Sequence, residues 1–183
     1  MRKIIVLSLL GLFCTQTEAK LPSCHWADPD SANSTLERKL GQRTHEIFVG
    51  RYKWHFHGGE NLALYDFIAD WHGTPYWYGG CTKRGTDCAG FVQALYRGVF
   101  GKEIPRDGHS QAMVCEPVAK EELQEGDMVF FSYNSRYIGH VGVYLGEGRF
   151  AHSASRVGVI VSHLDEAFWK RYFKTGGRLK TGA

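Results

Sequence analysis

The chain has 183 residues, 22 of them basic and 19 acidic, for a formal net charge of +3. Apolar residues make up 43% of it and aromatics 14%, enough for a folded core, which excludes a disordered chain. The near-balanced charge excludes a dedicated nucleic-acid binder and the length a multi-domain enzyme, and no apolar run reaches the ~20 residues that a membrane span requires.

Arg2 and Lys3 precede a ten-residue apolar run, Ile4 to Phe13, and Thr17-Glu18-Ala19 ends in a small residue. That order predicts an export signal over residues 1–19, cleaved after Ala19. Bulky Phe13 before Cys14 argues against a lipid anchor there. The mature chain then has 164 residues, 20 basic and 18 acidic. Residues 20–60 form a lead-in rich in polar and aromatic residues, including Trp26, Trp54 and His55-Phe56-His57. It is short for an independent domain and is expected to pack on residues 61–183.

Asn61 is placed to cap a helix carrying Leu62, Leu64, Tyr65, Ile68 and Trp71, ended by Gly73 and Pro75. A glycine-rich loop comes next, Gly79-Gly80 through Gly85. Asp87 is the expected N-cap of a second helix with Phe91, Val92, Leu95 and Val99 on one face, ended by Gly98 and Gly101. Beyond Pro105 the pattern changes to short apolar runs split by turn residues. Met128 to Phe131, His140 to Leu145, Arg149 to Ser153 and Val157 to Val161 read as strands. A last helix spans Ala167 to Phe173 and stops at Gly176-Gly177. Helices first and antiparallel strands afterwards imply an α+β fold.

With Cys14 removed, Cys24, Cys81, Cys88 and Cys115 remain. Four cysteines in an exported chain read either as two disulfides or as one functional thiol beside at most one bridge. Three residues suggest a functional thiol: Cys88, His140 and His152. At the first turn of the second helix, free N–H groups and the helix dipole favour a thiolate at Cys88. His140 is the candidate base that activates it. Hairpin parity tests whether the histidines cooperate. A three-residue loop Gly146-Glu147-Gly148 pairs Leu145 with Arg149, so residue 140 faces 154 and His152 is its diagonal neighbour on the same side. A two-residue loop would place the imidazoles on opposite faces. On the first register His152 can hydrogen-bond the second nitrogen of His140 and orient it.

Gly73-Thr74-Pro75-Tyr76-Trp77-Tyr78-Gly79-Gly80 and Thr86-Asp87-Cys88-Ala89-Gly90-Phe91-Val92 together resemble the nucleophile region of the NlpC/P60 cysteine peptidases. Ile104-Pro105-Arg106, Leu123-Gln124-Glu125-Gly126-Asp127-Met128-Val129-Phe130-Phe131 and His140-Val141-Gly142-Val143-Tyr144 come after it in the family's order. Phe150-Ala151-His152 supplies the third position. The resemblance runs from about Leu62 to Arg178 and assigns residues 61–183 to the catalytic domain.

The resemblance implies a papain-like α+β core, with a helix presenting the thiol to an antiparallel sheet that carries the histidines. It implies hydrolysis of peptidoglycan stem peptides in a bacterial periplasm or outside the cell, between D-glutamate and a diamino acid such as diaminopimelate. Cys88 is then the nucleophile, His140 the general base and later acid, and His152 the polar third member. Tyr76 would line the pocket and help to hold the oxyanion with the Cys88 N–H. No metal or organic cofactor is implied. The same triad is compatible with an N-acetylmuramoyl-L-alanine amidase or a cross-link endopeptidase, and the same fold with a wall-binding module without turnover. Ala89 stands where the family has serine, a side chain that helps to hold the peptide, so the departure bears on specificity.

Asp87 is placed either to bind a substrate amine or to cap its helix. Arg106 and Gln111 are placed either to line the cleft, with Arg106 on the substrate, or to pack and cap. His55 and His57 read as a solvated pair rather than metal ligands. Among the other cysteines, Cys81 with Cys115 would brace the glycine-rich loop, Cys24 would tie down the lead-in, and Cys81 with Cys88 would make a regulatory bridge. Trp169, Tyr172 and Phe173 read as core residues. The lead-in is expected to cover one end of the cleft and to be removable without unfolding the core.

Overall fold

A computed structural model describes residues 41–58, 60–133 and 137–180. The export signal and most of the lead-in lie outside the described residues. Four α-helices come after a π-helical turn at His45–Arg51: α1 Leu62–Trp71, α2 Cys88–Phe100, α3 Gly108–Met113 and α4 Ala167–Tyr172. A two-stranded ribbon, β1 Cys81–Thr82 and β2 Gly85–Thr86, precedes α2. Six strands form the main sheet: β3 Cys115–Val118, β4 Met128–Phe131, β5 His140–Gly146, β6 Arg149–Ala154, β7 Gly158–His163 and β8 Phe173–Leu179. Their order is β3-β8-β4-β5-β6-β7 and every pairing is antiparallel. The α+β architecture read from the sequence is the one observed.

α1 and α2 pack together and on one face of the sheet, burying Leu64, Ile68, Phe91, Val92 and Leu95 with Val141 and Val143. On the opposite face a smaller cluster gathers Val129, Phe131, Phe150 and Leu164 beneath Trp169 of α4. The sheet is therefore covered on both sides, and β4 is buried at every position. Such a strand shows no alternation of polar and apolar residues.

Several local expectations are modified by packing. Asn61 precedes α1 but its side chain makes no cap; its backbone N–H donates to Glu125 Oε1 at 2.8 Å. Gly98 does not end α2, which runs to Phe100 and closes on Gly101 in the left-handed conformation. A Cβ on Gly98 would press on the ring of Phe67, so this glycine allows α1 and α2 to approach. Gly176 and Gly177 do not terminate structure either. They lie inside β8, against Leu123 and Val118 on one side and Phe130 and Cys115 on the other, where side chains would collide. β3 carries Pro117 and is an edge strand, where a missing N–H is tolerated.

The β5–β6 hairpin realises the expected facing by another route. Val143 pairs with Ala151 and Tyr144 with Phe150, as a three-residue loop would require. At the tip, however, Gly146 rather than Leu145 pairs with Arg149, leaving a two-residue turn, Glu147-Gly148, with both residues at positive φ. A bulge between Tyr144 and Gly146 absorbs the extra residue and restores the register that puts both histidines on one face.

The described part of the lead-in is built into the core. Phe48 and Trp54 are buried with Tyr65 of α1, and Phe48 meets Tyr65 edge-on at 4.9 Å. Arg149 of β6 donates to Tyr52 O at 2.9 Å and lies over the Trp54 ring, while Val161 N–H donates to the Tyr52 hydroxyl at 3.0 Å. The segment also reaches the end of α1, where Arg43 donates to Ala69 O at 2.7 Å and the Tyr52 hydroxyl lies 2.8 Å from His72 Nε2. Residues 41–56 thus bury apolar side chains in the core, and the part of the lead-in expected to cover the cleft, residues 20–40, lies outside the described residues.

Candidate active site

Cys88 is the first residue of α2, and Asp87 before it is the N-cap. Asp87 Oδ1 accepts the Gly90 N–H at 2.7 Å and Oδ2 the Gly79 N–H at 2.8 Å. The Arg106 guanidinium grips both oxygens, at 2.8 and 2.9 Å, and donates to Gly80 O at 2.7 Å. One carboxylate thus joins the glycine-rich loop, the start of α2 and the segment before α3. A Cβ at Gly90 would run into Gly80 O and the Arg106 guanidinium, which accounts for the glycine two residues after the thiol. Asp87 and Arg106, weighed for substrate binding, are thereby occupied with each other and the loop. Gln111 is fully buried and donates to Ala89 O and Pro105 O, which fixes the same turn from behind.

The sheet meets this helix end through β5 and β6. Cys88 packs against the core that holds Val141, the residue after His140 on β5. Ser153 Oγ on β6 donates to Thr86 O at 2.9 Å and ties the strand to the segment leading into Cys88. His140 Nε2 lies 2.9 Å from His152 Nδ1, and the rings meet edge to face at 4.9 Å. A side chain at Gly142 would strike Ala151 O and the His152 Cβ, so the glycine of His140-Val141-Gly142 allows this approach. His152 Nε2 lies in turn 3.1 Å from Ser162 Oγ on β7. Trp169 stacks on His140 at 5.1 Å and meets His152 edge-on at 4.7 Å, while Phe150 stacks on His152 at 4.8 Å.

The electrostatics result from this burial. Loss of solvent pushes His140 down to about 4, and His152 well below the usual histidine range, with His140 adding to the effect. Burial also pushes the Cys88 thiol up, aided by the Asp87 charge and opposed by the N–H groups of Val141, Ala89 and Cys88. The thiolate expected from the helix end alone is therefore outweighed by desolvation in the resting protein. Burial thus favours the neutral form of both the thiol and the imidazole. Tyr76 is raised by burial and then by Cys88 and Asp87, so its phenol remains a donor.

A cavity of about 650 Å³ opens over these groups and is lined by Tyr76, Cys88, Tyr133, His140, Arg156 and Trp169, among others. The structure thus brings Cys88, His140, His152 and Tyr76 together, and leaves Asp87 and Arg106 outside the cavity lining. Ser162, Trp169 and Arg156 were not selected from sequence as site residues. Only Ser162 had a usable signal, since strand parity places it on the His152 face once the β6–β7 register is known.

A sequence model of the NlpC/P60 family matches residues 73–178. The chain belongs to the NlpC/P60 family. It is 42% identical over 118 residues to the probable endopeptidase NlpC of Escherichia coli K12, covering 64% of this chain and 77% of that one. It is 40% identical over 163 residues to the murein DD-endopeptidase MepS/murein LD-carboxypeptidase of the same strain, covering 81% of this chain and 84% of the relative. That similarity reaches N-terminally past residue 61. A crystal structure of an NlpC/P60 family protein from Bacillus cereus ATCC 10987 superposes with a TM-score of 0.61 at 30% identity. The match takes in 65% of this chain and only 40% of that one, so the NlpC/P60 fold here spans less than half of that protein.

Two pairings weighed from sequence are absent. Cys88 and Cys115 are both free. Cys81 is disulfide-bonded, so its partner lies outside the described residues, and neither the Cys81–Cys115 brace nor the Cys81–Cys88 bridge is formed. His57 lies 3.4 Å from Glu147 in an exposed pair. Among the described residues no cluster of three or more His, Cys, Asp or Glu is arranged to hold a metal, and no helix is long and apolar enough to cross a membrane.

Proposed function

We propose that this NlpC/P60 cysteine peptidase hydrolyses an amide of peptidoglycan stem peptides through a thioester on Cys88. The observation that carries the reading is the 2.9 Å contact between His140 Nε2 and His152 Nδ1 beside a free Cys88 in one cavity. It leaves His140 Nδ1 for the thiol and fits the order nucleophile, base, orienter.

In the first half-reaction Cys88 passes its proton to His140 as the sulfur attacks the amide carbonyl. The tetrahedral oxyanion is received by the Cys88 N–H and the Tyr76 hydroxyl. Collapse breaks the C–N bond, and His140 gives the proton to the departing amine, leaving the acyl group on sulfur. Water then attacks the thioester with His140 as base. The products are a carboxylate and the restored thiol.

Family resemblance favours the D-glutamyl–diaminopimelate amide as the bond. The extensive match to a murein DD-endopeptidase favours a second reading, the cross-link between neighbouring stems. Ala89, in place of the family serine, removes one hydroxyl from the peptide site and bears on that choice. We also retain residues 1–19 as a cleaved export signal, with a mature enzyme acting in the periplasm or outside the cell. A disulfide at Cys81 suits that oxidising setting.

The test is mass spectrometry of muropeptides incubated with mature protein and with Cys88→Ala under mild reduction. Cys88-dependent fragments ending in D-glutamate would select the first bond, and resolved cross-linked dimers the second. A folded protein with a free Cys88 that yields no product from several wall types would reject hydrolysis and leave a wall-binding module.

A further inference from the structure

We propose that Arg156 is a specificity residue that receives a free carboxylate of the substrate peptide in the catalytic cavity, an inference that rests on the stem-peptide reading of the site. Arg156 lies on the turn between β6 and β7, four residues after His152, and lines the same cavity as Cys88 and His140. The other described lining residues are largely aromatic, among them Tyr133, Phe168 and Trp169, together with Ser155. No carboxylate is among the described lining residues, so Arg156 is their one permanently charged group.

Among the described arginines it is the one that lines this cavity. Arg97 is paired with Glu103, Arg106 with Asp87 and Arg178 with Asp127. Among the described residues Arg156 makes no ion pair or hydrogen bond, and its side chain is exposed to the cavity mouth. An unpaired guanidinium in a cleft whose other described lining residues carry no carboxylate suits a planar anion bound through two parallel N–H···O contacts. The Ser155 hydroxyl adjoins it and can donate to the same anion. A stem peptide presents such groups close to the scissile amide, on D-glutamate and on the diamino acid. The shared chemistry is a carboxylate, and amidating each position separately distinguishes the two sources.

The experiment uses full-length mature protein carrying Cys88→Ala, so that binding is read apart from turnover. The probes are the tripeptide L-Ala-γ-D-Glu-diaminopimelate, its form amidated on D-glutamate and its form amidated on both diaminopimelate carboxylates, titrated by calorimetry. One amidated form should bind about tenfold more weakly than the tripeptide, and Arg156→Gln should abolish that difference while leaving binding of that amidated form unchanged. Arg156→Lys should keep part of it, since a point charge attracts a carboxylate without the bidentate fit. Equal affinity for all three peptides, absence of binding, or a discrimination that survives Arg156→Gln would overturn the proposal. Discrimination that depends on Arg156, in a protein whose unmutated form cleaves none of these peptides or cross-linked dimers, would support Arg156 and reject the hydrolase reading.

Discussion

Ser162 Oγ lies 3.1 Å from Nε2 of His152, on the side of that ring turned away from His140. If the hydroxyl accepts, the proton of His152 is on Nε2 and its Nδ1 is free to accept from His140. His140 then offers an unprotonated Nδ1 to Cys88. On that assignment Ser162 would set the tautomer of His152, the residue we propose as the third member of the site.

Ser162→Ala should lower kcat five- to tenfold with KM little changed, since one neutral hydrogen bond contributes about 1 kcal/mol. Ser162→Thr keeps the oxygen and should recover most of the rate. Steady-state kinetics on a stem peptide, with thermal melting as control, checks this. A loss of rate that threonine does not rescue would indicate a packing role.

Asp87→Ala removes the helix cap and leaves Arg106 without its partner. The expected loss of stability is about 3 kcal/mol, measured by urea unfolding. Asp87→Asn retains an acceptor for the loop and helix N–H groups and should cost less. Equal unfolding midpoints for Asp87→Ala and the parent protein would show that the carboxylate is not holding the loop, α2 and Arg106 together.

Phe48 stands for the described part of the lead-in. It is fully buried against Tyr65, Trp54 and Phe56, so Phe48→Ala should cost about 3–5 kcal/mol. Protein lacking residues 20–60 should show lowered or non-cooperative thermal unfolding rather than altered product specificity. A truncated protein that melts like the full chain would contradict this.

The buried histidines make stability depend on pH. His140 titrates near 6.5 when unfolded and at about 4 when folded, because burial disfavours its charge. Below pH 6.5 the unfolded chain binds more protons, so stability is full above that value and falls as the pH approaches 4. His152 adds to the slope in the same direction. Thermal midpoints from pH 7 to pH 4 should therefore fall more steeply for the unmutated protein than for His152→Gln. Parallel curves would mean that the folded histidine is not held neutral.

Much of the site was legible in order along the chain. Asp87 before an amphipathic run marked the start of a helix, and with it the position of Cys88, because a cap and a 3.6-residue period are local properties. The facing of His140 and His152 was legible from strand parity, although a bulge and a two-residue turn produced it rather than a three-residue loop. β3 and β8 were not legible, since their pairing joins segments about 60 residues apart and the glycines of β8 resemble breakers in isolation. The engagement of Asp87 by Arg106 and the support of His152 by Ser162 likewise depend on partners brought in from elsewhere in the sequence.

The sequence by itself determined which residues can do the chemistry, because a nucleophile, a base and a capped helix are written in residue type and spacing. Tertiary structure alone decided their protonation at rest. Whether Cys88 and His140 sit neutral or as ions depends on how completely α2, the sheet and Trp169 exclude water, a quantity that no local window of sequence contains.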